Sequence, residues 1–239
     1  MEHDVAQSAH VYKLWAWFET NKKQVLVSTA IAVGVGFVVS FYFWYQGERE
    51  VKAGEALSNA LAPLALSGSA RTEASEPFLK VAAEHPGTSA GGRALLFAAA
   101  NLFAEGKYDA AQAQFQRFLR DYAQSPFLSQ ALLGVAACYD AQGKSNEAVT
   151  AYKELIDHHP TENAVPQAKF ALARIYEAQN KIGQALSLYD ELGRTYGSVG
   201  SEAGMRAEEL KLKYPNAVAA SSPLPLTAPG VPGAATNKP

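Results

Sequence analysis

The side chains best equipped for chemistry in this 239-residue chain are an adjacent histidine pair, His158-His159, a single cysteine, Cys138, and two regularly spaced acids, Asp140 and Glu177. Two imidazoles hold zinc only when their lone pairs converge with those of further ligands, and neighbours on a helix point about 100° apart. The pair is therefore read as positive charge at a helix C-terminus, opposing the macrodipole. His3, His10 and His85 are scattered. Cys138 excludes an intrachain disulfide or a cysteine-based zinc cluster, and within the apolar-periodic run 132–139 it reads as a small core residue. The chain has no P-loop, no G-x-S-x-G and no H-E-x-x-H. Asp140 and Glu177 are placed on exposed helix faces, as a binding surface would carry them. No catalytic, metal-binding or cofactor-binding residue is expected, and the chain reads as a non-enzyme.

Residues 24–46 contain no charge and include VLVSTAIAVGVGFVVSFYFWY between two glutamines. At a rise of 1.5 Å per residue they extend roughly 35 Å as a helix, enough to cross a hydrocarbon core of about 30 Å. The segment ends in Phe41-Tyr42-Phe43-Trp44-Tyr45, an aromatic belt, and not in small residues suited to signal-peptide cleavage. It is expected to remain as a single transmembrane helix. Before it, residues 1–23 carry Val11, Leu14, Trp15 and Phe18 at amphipathic spacing. Lys13, Lys22 and Lys23 precede the span, and Arg49 and Lys52 follow it among acids, which favours a cytoplasmic N-terminus and an extracytoplasmic body. Ser28, Ala32, Gly36 and Ser40 recur every fourth residue as a packing face for another helix.

The chain carries 21 Lys+Arg against 23 Asp+Glu, with three of each before the span, so the remainder has no bias toward phosphate backbones. Nucleic acid is not an expected partner.

From residue 90 to 197 the sequence repeats with a period of 37. Gly106-Lys107, Gly143-Lys144 and Asn180-Lys181 mark equivalent turns, followed by Ala111, Ala148 and Ala185 and then Phe115, Tyr152 and Tyr189. Before each turn come Ala99, Ala136 and Ala173, then Leu102, Tyr139 and Tyr176. Small residues let two helices of a hairpin approach closely, and the ring beyond fills the space to the next hairpin. This pattern resembles the tetratricopeptide repeat, W-x2-L-G-x2-Y then A-x3-F then P. The second copy reads Leu132-x2-Val135-Ala136-x2-Tyr139, Ala148-x3-Tyr152, Pro160. Leu95, Leu132 and Lys169 replace the tryptophan, and the longer period implies longer turns between hairpins.

One period earlier lie Ala74, Phe78 and Pro86, so 75–85 reads as the second helix of a divergent hairpin whose first helix, 48–62, continues from the span. The expected fold is all-α: one N-terminal transmembrane helix, then a tetratricopeptide-like α-solenoid of about three and a half to four hairpins, and a disordered tail. The divisions are 1–23 lead-in, 24–46 span, 47–89 juxtamembrane helix and first hairpin, 90–197 three repeats, 198–214 capping helix and 215–239 tail, whose Pro, Ala, Ser and Gly cannot support a core.

The first helices of successive hairpins should form a protein-binding groove. Its candidate residues are Arg93, Leu96 and Phe103 in the first copy, Gln130, Leu133 and Asp140 in the second, and Gln167, Phe170, Arg174 and Glu177 in the third. The order of lead-in, span, Ala-rich helix and degenerate repeats resembles the YfgM-type ancillary subunit family of the SecYEG translocon, most closely over 17–23 and 56–60. That resemblance implies an inner-membrane protein whose repeats face the periplasm, with translocon subunits, periplasmic chaperones or unfolded clients as partners. The alternatives are an envelope-assembly or cell-division scaffold resembling the Tol-Pal coordinator, and a structural membrane protein that forms homo-oligomers.

Overall fold

The computed structural model describes residues 17–67, 75–194 and 197–215. The lead-in residues Val11, Leu14 and Trp15, Ala74 and the tail beyond 215 lie outside them. Among the described residues there is no strand; the helices are α1 (Lys22–Ser67), α2 (Glu76–Glu84), α3 (Ser89–Ala104), α4 (Tyr108–Asp121), α5 (Leu128–Ala141), α6 (Ser145–His158), α7 (Val165–Ala178), α8 (Ile182–Gly193) and α9 (Ser198–Lys213). The chain forms two compact units, residues 1–69 with 80–94 and residues 70–79 with 95–239.

In the first unit α1 is a single 46-residue helix. Its portion Lys22–Pro63 is long and apolar enough to cross a membrane, with a mean hydropathy of 2.1 in its most apolar window and none of that window buried by protein. Phe41 and Trp44 rings lie 5.9 Å apart, and Gln46 donates to the Tyr42 hydroxyl at 3.0 Å. Past the aromatic end the helix acquires a buried side, at Ala53 and Leu57.

α1 also completes the start of α3. A helix N-terminus leaves four N–H groups without intrahelical partners. Here the Ser89 and Ala90 amides donate to the two oxygens of Glu50, at 3.0 and 3.1 Å. The Gly91 amide donates to Thr88 Oγ1 at 2.9 Å, and the Gly92 amide to the Thr88 carbonyl at 3.0 Å. Arg49 donates to the Pro86 carbonyl at 2.8 Å. The corner closes only because residue 91 has no side chain: a Cβ there would sit 2.1 Å from the His85 carbonyl oxygen.

In the second unit, each first helix ends in the same turn. The Lys107, Lys144 and Lys181 amides donate to the Leu102, Tyr139 and Tyr176 carbonyls at 2.9, 2.9 and 2.8 Å, a Schellman closure. It needs a left-handed residue, supplied by Gly106 (φ 75°), Gly143 (φ 72°) and Asn180 (φ 58°). The Lys144 and Lys181 ammonium groups then lie over the Tyr139 and Tyr176 rings.

Ala99, Ala136 and Ala173 and their partners Ala111, Ala148 and Ala185 are all fully buried. Larger side chains fill the remaining core: Tyr189, Phe118 and Leu155 are buried, each worth about 1.5–3 kcal/mol. Cys138 is a buried core residue too. Polar contacts between hairpins also repeat: Ser75 donates to Glu105, and 37 positions on Gln142 donates to Gln112. α9 closes the array by backbone approach, since a Cβ at Gly193 would meet Gly204 Cα at 3.2 Å, and Lys211 reaches Asp190 on α8 at 2.7 Å.

Gly143→Ala should lower the stability of the detergent-solubilised chain by about 1 kcal/mol, while Asn180→Gly should raise it, since only glycine occupies the left-handed region without steric cost. Thermal melts followed by far-UV circular dichroism read both. Glu50→Ala removes the acceptor for two helix-terminal amides and should cost about 1–2 kcal/mol locally, seen as faster hydrogen exchange at Ser89 and Ala90.

Candidate functional site

The candidate residues fall into rows because the repeat places equivalent side chains on successive first helices. Arg93, Gln130 and Gln167 are all exposed; Leu96, Leu133 and Phe170 are all half-buried; Phe103, Asp140 and Glu177 are all half-buried. Arg93 belongs to the first unit and the others to the second. The apolar row is partly engaged in packing. Leu133 leans on the core formed by Ala136, Ala148, Tyr152 and Leu172, and Phe170 meets the Tyr189 ring edge-on at 5.5 Å. Phe103 packs against Tyr108 across its own turn, with ring centroids 5.2 Å apart.

Asp140 and Arg174 come together. With Ser145, Ile175, Ala178 and Gln179 they line a cleft of about 270 Å³ between the end of α5 and α7. Arg174 is exposed and makes no ion pair among the described residues, whereas Lys169, Arg206 and Lys211 each hold a carboxylate within 3 Å. An unpaired guanidinium at a cleft is free to recognise a carboxylate in a fork geometry.

The acids are less exposed than their spacing implies, because each lies near a tyrosine twelve residues further on. Tyr189 donates to Glu177 Oε2 at 3.3 Å. Burial first, and then the charge of Glu177 and this hydrogen bond, push the Tyr189 phenol up to about 12. Tyr152 is shifted in the same direction, by burial and then by Asp140, with Arg174 opposing. Phe115 occupies the equivalent place in the first copy, and its partner position is Phe103. The tyrosine-acid pairs are legible afterwards in the 37-residue spacing of both partners.

The adjacent histidines sit at a helix end: His158 ends α6 and His159 is its C-cap. Gly134 is a position that sequence reasoning missed; a Cβ there would stand 2.5 Å from the Phe115 ring. The Ser28, Ala32, Gly36 and Ser40 ridge lies on an exposed stretch of α1 with nothing against Gly36.

Raised phenol pKa values mean that the folded state holds these protons more tightly than the unfolded chain. The contribution of Tyr189 is therefore complete below about pH 10 and is lost as pH rises through about 12. Ultraviolet titration should show two of the eleven tyrosines ionising late. Tyr189→Phe should remove one late phenol and cost about 0.5–1.5 kcal/mol.

Residues 15–121 match the family model of a tetratricopeptide repeat-like domain, and residues 98–163 and 139–196 match that of the tetratricopeptide repeat. No curated protein sequence matches the chain. Similar solved structures include nearly identical TPR-like repeats of a candidate kinesin light chain from Podosopora anserina, at 17% identity over 69% of this chain and 89% of that one, with a TM-score of 0.52. A tetratricopeptide repeat protein from Parabacteroides merdae ATCC 43184 is 14% identical over 69% of this chain and 63% of that one, with a TM-score of 0.51. At such identities the likeness concerns the fold alone. The two models together support tetratricopeptide-like repeats in this chain, and among the described residues one helix, near the N-terminus, is long and apolar enough to cross a membrane.

Proposed function

We propose that this protein is a membrane-anchored scaffold that holds segments of other proteins in the groove of its repeats, as an ancillary component of the translocon and periplasmic chaperone network. The observation that carries the reading is a helix whose apolar stretch is left unburied by protein while its later turns bury Ala53 and Leu57. Such a surface is stable when lipid covers it and a liability in water. Tetratricopeptide-like repeats generally mediate protein-protein contacts, and the exposed Gln130, Gln167 and Arg174 beside half-buried Leu133 and Phe170 give polar recognition around apolar anchors. The lysines before the span support a cytoplasmic N-terminus and an extracytoplasmic repeat array. The resemblance to the YfgM-type family supports the choice of partners.

A topology reporter fused after Lys213 should be active only in its extracytoplasmic form. A photo-crosslinking residue at Gln167 should capture SecY-type channel subunits, a periplasmic chaperone or its clients, and Arg174→Glu should reduce the yield about tenfold, the effect of losing one charge-assisted contact. Capture of envelope-assembly or cell-division factors alone would transfer the scaffold to that process.

A further inference from the structure

Within the first unit, side chains of α1 hold the α2–α3 corner at a definite height along the helix. The aromatic belt ends at Tyr45, and the helix continues through Arg49 and Glu50 without interruption. Four to five residues of helix advance about 6–7 Å, which is also about the depth of the headgroup region on one side of a bilayer. At that level Arg49 holds the Pro86 carbonyl and Glu50 holds the Ser89 and Ala90 amides. These bonds bring the α2–α3 corner, residues 85–90, down to the level of the first helical turn beyond the belt.

The chemistry of the corner suits that depth. Residues 85–90 read HPGTSA and include no carboxylate that a phosphate would repel. Pro86, Gly87 and Ser89 are exposed, while Thr88 turns inward to cap α3. Of the acids near this height, Glu50 is already committed to two amides, and Glu48 and Glu84 each face a lysine, Lys52 and Lys80.

We propose that the α2–α3 corner, residues 85–90, rests in the phospholipid headgroup layer, making the bilayer surface a second contact of the protein beside its span. The inference rests on α1 being a span. Its consequence is that the corner itself cannot swing on a free linker: it stands on the membrane, with α1 as its post.

The full-length chain with Cys138→Ala is placed in nanodiscs of phosphatidylethanolamine and phosphatidylglycerol, with an environment-sensitive fluorophore on Ser89→Cys, Ser58→Cys or Val35→Cys. Quenchers are carried on the lipid headgroup or deep in the acyl chain. The label at 89 should lose about half its emission to the headgroup quencher and little to the deep one, and the label at 58, about 12 Å further along α1, should lose little to either. The label at 35 should respond to the deep quencher. If 35 is quenched while 89 is as unaffected as 58, the corner does not touch the bilayer and the inference fails. If 35 escapes the deep quencher, α1 is not a span and both readings fall. Glu50→Ala with Arg49→Ala, which cuts the tie and leaves the span intact, should reduce quenching at 89 about twofold without changing 35. No change at 89 in this variant would show that the corner is not held by the tie and would overturn the argument.

Discussion

Three backbone N–H groups at the start of α3, those of Ser89, Ala90 and Gly91, set the terms for the first unit. Left to itself, Thr88 can satisfy only Gly91, through its hydroxyl, since its carbonyl takes the first intrahelical bond from Gly92. Ser89 and Ala90 take their acceptors from Glu50, 39 and 40 residues earlier. A carboxylate there also sits at the positive end of the helix macrodipole, which adds to the two charge-assisted bonds. The exposed Lys52–Glu48 and Lys80–Glu84 pairs nearby are of the kind worth 1 kcal/mol at most, by general experience with exposed ion pairs, and they fix no geometry. The tie through Glu50 fixes the height of the corner on α1.

Repetition then does for the second unit what a single large core does for a globular domain. Two alanines per hairpin are fully buried, small enough to let the helices approach closely, and a ring in each copy is buried beside them. The turn between the helices is copied with its hydrogen bonds agreeing to 0.1 Å, although its left-handed residue changes from glycine to asparagine. Asparagine tolerates that conformation better than other residues with a Cβ, so the third copy keeps the geometry at some cost. Where the array stops, the packing rule changes: α8 and α9 cross through Gly193 and Gly204, and Lys211 bridges to Asp190.

This division explains what could be read from the sequence. Period, turn residues and apolar spacing are local, and they determine hairpins whose faces pack in only one way. The all-α architecture and the repeats follow from them. Glu50 and Ser89 are far apart in sequence and belong to no repeated pattern, so nothing local announces their bond. Gly134 looks like a poor helix residue until the Phe115 ring is found against it. Asp140 and Glu177 follow a helical face correctly, but helical phase cannot say that a tyrosine hydroxyl from the second helix will reach toward one of them and half cover it.

The same contacts bear on what the site can do. Groups useful for proton transfer or nucleophilic attack work when their pKa lies near the ambient pH. Tyr189 is pushed up to about 12 and the Cys138 thiol to about 11, the latter by burial and then by the charge of Asp109, so both hold their protons at neutral pH. Cys138 is also sealed from solvent. Arg174 stands apart from these groups: it is exposed, always charged and unpaired among the described residues, beside a cleft that also presents Asp140. Under the proposed scaffold function, the exposed guanidinium beside Asp140 is the feature through which the charge order of a bound segment would be read.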